Sequence, residues 1–439
     1  QKTAYEIGVR LVGSEMCIRD SGGREHAFAW KCSLSPKADK IYVAPGNVGT
    51  AGENKVENIA IAADDIDNLL KFALKEKIDL TIIGPEAPLV AGVVDKFNDA
   101  GLVCFGPNKQ ASQLEGSKSF TKDFLKRYEI PTADYETFDN SEAAINYINE
   151  KGAPLVVKAD GLAAGKGVIV AMNVDEAVTA VKDILDKNNF GEAGTKIVIE
   201  EFLHGEEASF IVVTDGEKVL PLATSQDHKA RDNGDKGPNT GGMGAYSPAP
   251  IITEDLNHRI MSEIINPTLS GLKEDGIDYL GFLYAGLMIS EDGQPKILEY
   301  NCRFGDPETQ PIMMRLESDF IDLILATMEG SLSYEKVRWS NEVALGVVMA
   351  AGGYPIKYSS GDEIIGIDSN KSQNVKVFHA GTSLKDNQVV TSGGRVLCVV
   401  GRGKTTSSAN RIAYEMVNNI SWKNEYHRDD IGHRAIDRE

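Results

Sequence analysis

With 439 residues, 42% of them hydrophobic and 25% charged, the chain is long enough for two to four domains, each with a substantial core. A formal net charge of -19 argues against general affinity for nucleic acid or anionic membrane, while leaving room for a local basic pocket that takes phosphate. The cysteines Cys17, Cys32, Cys104, Cys302 and Cys398 are scattered, odd in number and without metal-ligand spacing; no apolar run approaches the roughly 18 residues of a bilayer span, so a reduced, cytoplasmic setting is expected.

Residues 1–20 stand apart. An α/β domain is expected to open on an apolar strand, yet Ser14-Glu-Met-Cys-Ile-Arg-Asp20 interrupts its apolar residues with charge. A poor edge strand and a foreign tract, such as a sequence-assembly scar, are both compatible with that pattern, and the functional argument starts after it.

From Gly22 to about Leu114, helices alternate with short apolar strands. A helix through His26 to Cys32 precedes the strand Lys40 to Ala44; helices over Ile66 to Lys75 and Val90 to Ala100 flank Asp79 to Ile83, and Leu102 to Phe105 follows. The strands end in glycine or proline turns at Pro45-Gly46-Asn47, Gly84-Pro85-Glu86 and Gly106-Pro107-Asn108. That grammar predicts a parallel α/β sheet with its ligand crevice at the strand carboxyl ends. Gly22-Gly23-Arg24-Glu25-His26 opens the first helix, where bare glycine amides suit a phosphate or simply make a turn.

Between about Lys118 and Arg338 the pattern changes to antiparallel hairpins. Strands are predicted at Pro154 to Ala159, Gly167 to Ala171, Lys196 to Glu201, Ser209 to Thr214 and Lys218 to Leu222, the last two across an Asp215-Gly216 turn. Tyr284 to Ile289 and Lys296 to Asn301 pair across Asp292-Gly293. The final hundred residues read as a small mixed domain, with strands Glu342 to Ala350, Lys376 to His379 and Gly394 to Val400 and a helix from Ser407 to Asn419.

The chemistry concentrates in Lys296-Ile-Leu-Glu-Tyr-Asn-Cys-Arg-Phe-Gly-Asp-Pro-Glu308, which sets acid and amide groups on a strand that otherwise looks buried. Strict alternation puts Ile297, Glu299 and Asn301 on one face, with Glu299 and Asn301 about 7 Å apart, a spacing suited to one hard cation or to capping the next loop. Gly161-Leu-Ala-Ala-Gly-Lys166 resembles a phosphate loop, but it has three residues between its glycines, Gly167 after the lysine, and strands on both sides. A glycine-rich hairpin lid over a triphosphate is preferred, with Lys166 and backbone amides above and Lys158 neutralising phosphate oxygens. Glu200-Glu201-Phe202-Leu203 suits a purine-binding edge. Thr224 to Arg231 and Gly237 to Gly244 read as a flexible loop able to line a polar substrate pocket through Asp227, His228, Lys229 and Arg231.

Taken in order, these runs closely resemble the glycinamide ribonucleotide synthetases, a family of ATP-grasp ligases. The matching segments are Ser21 to Ala27, Gly84 to Leu89, Gln113 to Lys118, Lys158 to Gly167, Pro238 to Gly244, Asn301 to Glu308 and Asp430 to Gly432. The resemblance implies an α/β fold: an N-terminal parallel-sheet domain for substrate (21–117), an ATP-grasp domain (118–338) with a mobile lid at about 135–205, and a small mixed C-terminal domain (339–439). It also implies ATP-dependent amide formation between glycine and 5-phosphoribosylamine through a glycyl phosphate, in purine biosynthesis. Small-molecule substrates and a monomer are expected, with no nucleic acid or membrane partner.

The resemblance assigns ATP contacts to Lys118, Lys158, Gly165, Lys166, Gly167, Glu200, Glu201, Phe202, Leu203 and Glu207, and magnesium or manganese to Glu299 and Asn301. Substrate contacts fall to Gly22, Gly23, Arg24, Glu25, Pro45, Gly46, Asn47, Glu86, Asp227, Lys229, Arg303 and Asp306. Arg303 and Lys158 are the catalytic candidates, the planar fork of Arg303 suiting the glycine carboxylate. No general base is named. Asp20 stands where the family has glycine, and its charge is expected to weaken phosphate binding nearby.

Overall fold

The computed structural model describes residues 14–163, 167–333, 337–369 and 372–439. Gly165 and Lys166 lie outside them.

Five parallel strands, β1 (Ser14–Asp20), β2 (Ala38–Pro45), β3 (Val56–Asn58), β4 (Leu80–Ile83) and β5 (Cys104–Phe105), form a sheet in the order β3-β2-β1-β4-β5. β1 is therefore central, paired on both sides, and the edge-strand reading of this stretch is wrong. A parallel strand covered on both faces needs a short apolar run more than an alternating pattern. Met16, Cys17 and Ile18 supply it: Met16 and Ile18 pack with Ala27 and Phe28 of the helix Gly23–Ser33, while Cys17 faces the opposite layer with Tyr42, Leu69 and Ala73.

A second sheet, in the order β6-β9-β7-β8, is antiparallel and carries its own small core: β6 (Tyr135–Phe138), β7 (Leu155–Ala159), β8 (Val168–Ala171) and β9 (Ile197–Glu201). The third sheet faces it, and is built from β10 (Glu206–Thr214), β11 (Val219–Pro221), β16 (Gly281–Ile289) and β17 (Pro295–Asn301) in the order β11-β10-β16-β17. Thr132 and Pro131 tie the entry to the second sheet onto β17, through Ile297 O (2.7 Å) and Ile297 N (2.8 Å).

The segment expected as a flexible loop is instead made of short strands, β12 (Gln226–Asp227), β13 (Ala230–Asp232), β14 (Lys236–Asn239) and β15 (Gly244–Ser247). β15 is buried throughout and pairs with β18 (Val343–Ala350), so the C-terminal sheet runs β12-β15-β18-β22-β19, with β19 (Val375–His379) and β22 (Arg395–Gly403); β20 (Thr382–Lys385) and β21 (Gln388–Thr391) form a separate hairpin. The physical reason is apolar: Met243 and Tyr246 sink into the C-terminal core beside Leu345 and Val347. The C-terminal core thus draws on residues from before the boundary drawn at 338/339.

Candidate active site

All four regions converge on one cavity of about 540 Å³. The wall that carries Glu299 and Asn301 depends on an irregularity in β17. Gly286 pairs with Glu299 but Leu287 pairs with Ile297, so Leu298 is an extra residue, a β-bulge. Ile297 consequently turns into the core with Tyr300, while Glu299 and Asn301 line the cavity. The expectation that Ile297 shares their face fails because the bulge resets the alternation.

Burial alone would push the Glu299 carboxyl up; the charges of Lys229, Lys158 and Lys118 outweigh that and hold it below the ordinary carboxylate range. An ionised carboxylate beside an amide oxygen is a donor set fit for a hard cation. Lys229 lies 3.8 Å from Glu299 and 3.0 Å from Glu207.

On the opposite wall, Glu200 is buried between two lysines, 2.8 Å from Lys158 and 3.0 Å from Lys122. Lys158 also donates to the carbonyl of Leu298 at 3.1 Å. The Glu200 carboxylate is thereby engaged by protein cations, at the start of the run expected as a purine-binding edge. Glu201 is half-exposed and 3.1 Å from Lys296, and Phe202, Leu203 and Gly167 complete this wall. Lys118 donates to Gly161 O at 3.2 Å. Lys122 was not among the sequence candidates, although it lies one turn beyond Lys118 on the helix Lys118–Arg127 and so shares its face. Burial lowers its ammonium to about 8.

Arg303 is less open than expected. Its Nε donates to Glu86 at 3.1 Å, Nη2 lies 2.9 Å from Glu115, and Nη1 donates to Phe304 O at 3.2 Å. The guanidinium holds the Glu86 carboxyl down to about 2, while burial pushes Glu115 up to about 7 against the pull of Arg303. Glu115 is a site residue that sequence reasoning missed, although it sits inside the matching run Gln113 to Lys118. The same holds for Glu308 at the end of the Asn301 run, and for Arg395, whose Nη2 approaches Asp306 at 3.5 Å.

At the N-terminal edge the expected residues divide between the cavity and the fold. Glu25 is fully buried between Gly22 and Gly84, where an added Cβ would fall 2.4 and 2.1 Å from its carboxylate oxygens. These glycines make room for an acid, paired to Arg24 at 2.5 Å, rather than for an open phosphate cradle. Gly22, Arg24, Glu25 and Glu86 line the cavity, but Gly23, Pro45, Gly46 and Asn47 do not. The Asn47 amide donates to Ser21 O (2.7 Å) and His379 O (2.8 Å), and its oxygen caps Thr50 N, which makes it a fastener of the fold.

A nucleotide-sized cleft between two antiparallel sheets, with buried lysines on one and an acid-amide pair on the other, defines an ATP-grasp protein. Comparison with known proteins agrees. Residues 15–115, 116–309 and 344–434 match, respectively, the N domain, the ATP-grasp (A) domain and the C domain described as phosphoribosylglycinamide synthetase. The phosphoribosylamine–glycine ligase of Yersinia pestis is 60% identical over 96% of this chain and 99% of its own length, and that of Vibrio parahaemolyticus is 58% identical over 96% and 98%. The crystal structure of the Thermotoga maritima phosphoribosylamine–glycine ligase superposes with a TM-score of 0.80 at 34% identity, covering 95% of this chain and all (100%) of the other. A biotin carboxylase domain from Hydrogenobacter thermophilus shares the fold, with a TM-score of 0.74 at 15% identity over 94% of this chain and 91% of its own. The chain belongs to the phosphoribosylglycinamide synthetase family.

Proposed function

We propose that this chain is an ATP-dependent carbon–nitrogen ligase that joins glycine to 5-phosphoribosylamine in de novo purine biosynthesis, acting in the cytoplasm as a monomer. The observation that carries the reading is that Lys158, the Glu299/Asn301 pair and Arg303 open onto one cavity.

In this reading the glycine carboxylate attacks the γ-phosphorus of ATP and ADP leaves. The amine of phosphoribosylamine then adds to the acyl phosphate, the C–N bond forms, inorganic phosphate departs and a proton is released. Little covalent work falls to the protein; positioning and charge neutralisation supply most of the rate. Lys158 and Lys118 neutralise phosphate oxygens, while the backbone from Glu201 to Leu203 reads the adenine. Arg303, held rigid between Glu86 and Glu115, orients the glycine carboxylate. Glu299 and Asn301 would hold magnesium, or manganese in its place, which would supply charge neutralisation on the phosphates. The lid sheet excludes water from the acyl phosphate.

The test is ADP release measured with glycine and phosphoribosylamine supplied together and singly, with the product mass determined. Release that requires both, with a glycinamide ribonucleotide mass, supports the reading. Turnover without glycine points to another ATP-grasp reaction, and nucleotide binding without turnover to a binding module.

A further inference from the structure

Two buried carboxylates face the cavity from β12 and from the start of the helix Thr309–Arg315. Asp227 is 7% exposed and Glu308 3%. Glu308 accepts a hydrogen bond from Ser209 Oγ at 3.0 Å, and that hydroxyl also meets Tyr284 Oη at 3.0 Å. The Asp227 carboxylate has neither a hydrogen bond nor an ion pair among the described residues. Lys229 and Arg434 both exert their charge on it, but Lys229 is paired with Glu207 at 3.0 Å and Arg434 with Asp235 at 2.6 Å. Burial pushes Asp227 up to about 8, with Lys229 opposing and Glu308 adding to the rise.

Two buried acids whose neighbouring cations are each ion-paired to another carboxylate are costly unless a ligand supplies a further cation. The ligation brings few positive groups to this cavity. ATP and the glycine carboxylate are anionic, the sugar amine must be neutral to attack, and the divalent cation is assigned to Glu299 and Asn301. The ammonium of glycine is what remains, with three N–H donors to place. We propose that Asp227 and Glu308 receive the ammonium group of the amino-acid substrate, with the Tyr284 hydroxyl beside it. The inference rests on the ligase reading above. Arg303 acts electrostatically on Glu308, and Lys229 on Asp227, so the cations that attract the substrate carboxylate lie near the acids that take its amine. An acid of the same size without the amine, such as glycolate, would leave both carboxylates unpaired and be rejected.

The test compares wild type with Asp227→Asn, using glycine, ATP and phosphoribosylamine as varied substrates and glycolate as a competitor. Asp227→Asn is expected to raise KM for glycine by about 30-fold or more, and to lower kcat at saturating glycine by less than about 3-fold. KM for ATP and for phosphoribosylamine should hold, and the preference for glycine over glycolate should shrink. A fall in kcat with KM for glycine intact would overturn the proposal in favour of a proton acceptor. A rise confined to KM for phosphoribosylamine would overturn it in favour of a sugar-amine site. Wild type without glycine-dependent ADP release would bring down the ligase reading first, and this inference with it. If Asp227→Asn fails to fold, Glu308→Gln carries the same readouts.

Discussion

The Lys158 ammonium, on the lid sheet, donates to the backbone carbonyl of Leu298, the bulge residue of the facing sheet, across 3.1 Å. The lid is thus bonded to the irregularity that turns Glu299 into the cavity. The same ammonium is 2.8 Å from Glu200, so one lysine joins the wall that carries Glu200 to the wall that carries Glu299.

Replacing Lys158 with Met should damage both ends of that link. Glu200 keeps Lys122 as its partner, so the stability loss should be about 1–3 kcal/mol, smaller than for a buried acid left alone. The kcat/KM for ATP should fall by about 100-fold or more, because a charge facing the transferring phosphate is gone. Urea unfolding and initial ADP rates measure the two effects separately; an unchanged kcat/KM for ATP would remove Lys158 from the nucleotide site.

Glu299→Gln keeps the shape of the side chain and removes its charge. The magnesium concentration for half-maximal ADP formation should rise by at least about 10-fold, with partial recovery at high metal. A magnesium dependence that does not move would place the cation elsewhere.

The pH dependence of stability should expose Asp227. Its carboxyl is raised from the ordinary 3.8 to about 8, first by burial, so between those values the unfolded chain is ionised there while the folded protein retains the proton. The folded state binds more protons, and the contribution of this residue to stability therefore falls as pH rises from about 4 to about 8. Asp227→Asn removes that penalty. In the absence of substrates its urea midpoint should exceed wild type, by a margin that is larger at pH 8 than at pH 5. Equal margins at both pH values would contradict the shift.

Asp20 closes β1, beside Pro45 of β2, where the family resemblance calls for glycine. Asp20→Gly removes a negative charge from the carboxyl ends of the parallel strands, where anionic phosphoribosylamine is expected to approach. Turnover should increase through a lower KM for phosphoribosylamine, with KM for ATP unchanged. Identical kinetics for the two proteins would show that the charge is silent.

Much of this molecule was legible before any coordinates. The parallel α/β grammar, the Asp215-Gly216 hairpin and the helix over Ile66 to Lys75 follow from local periodicity and turn chemistry, which act within a few residues. The strand that carries Glu299 and Asn301 was visible because acid and amide groups in an apolar run violate its pattern. The centrality of β1 was not visible, since three apolar residues between charges look weak until neighbours on both sides are known. The strands β12 to β15 were hidden because glycines and prolines dominate their local signal, and because β15 finds its partner β18 about a hundred residues downstream.

The sequence by itself determined which side chains this protein has for phosphate, metal and carboxylate chemistry, because residue type and order suffice to name donors and acceptors. Only the tertiary structure decided how they are shared: Glu200 between two lysines, Arg303 between two acids, Asn47 turned to fastening loops, and Asp227 left without a hydrogen bond or ion pair among the described residues. Such pairings join residues far apart in the chain, and the energy of each depends on burial and distance, quantities that exist only once the chain has folded.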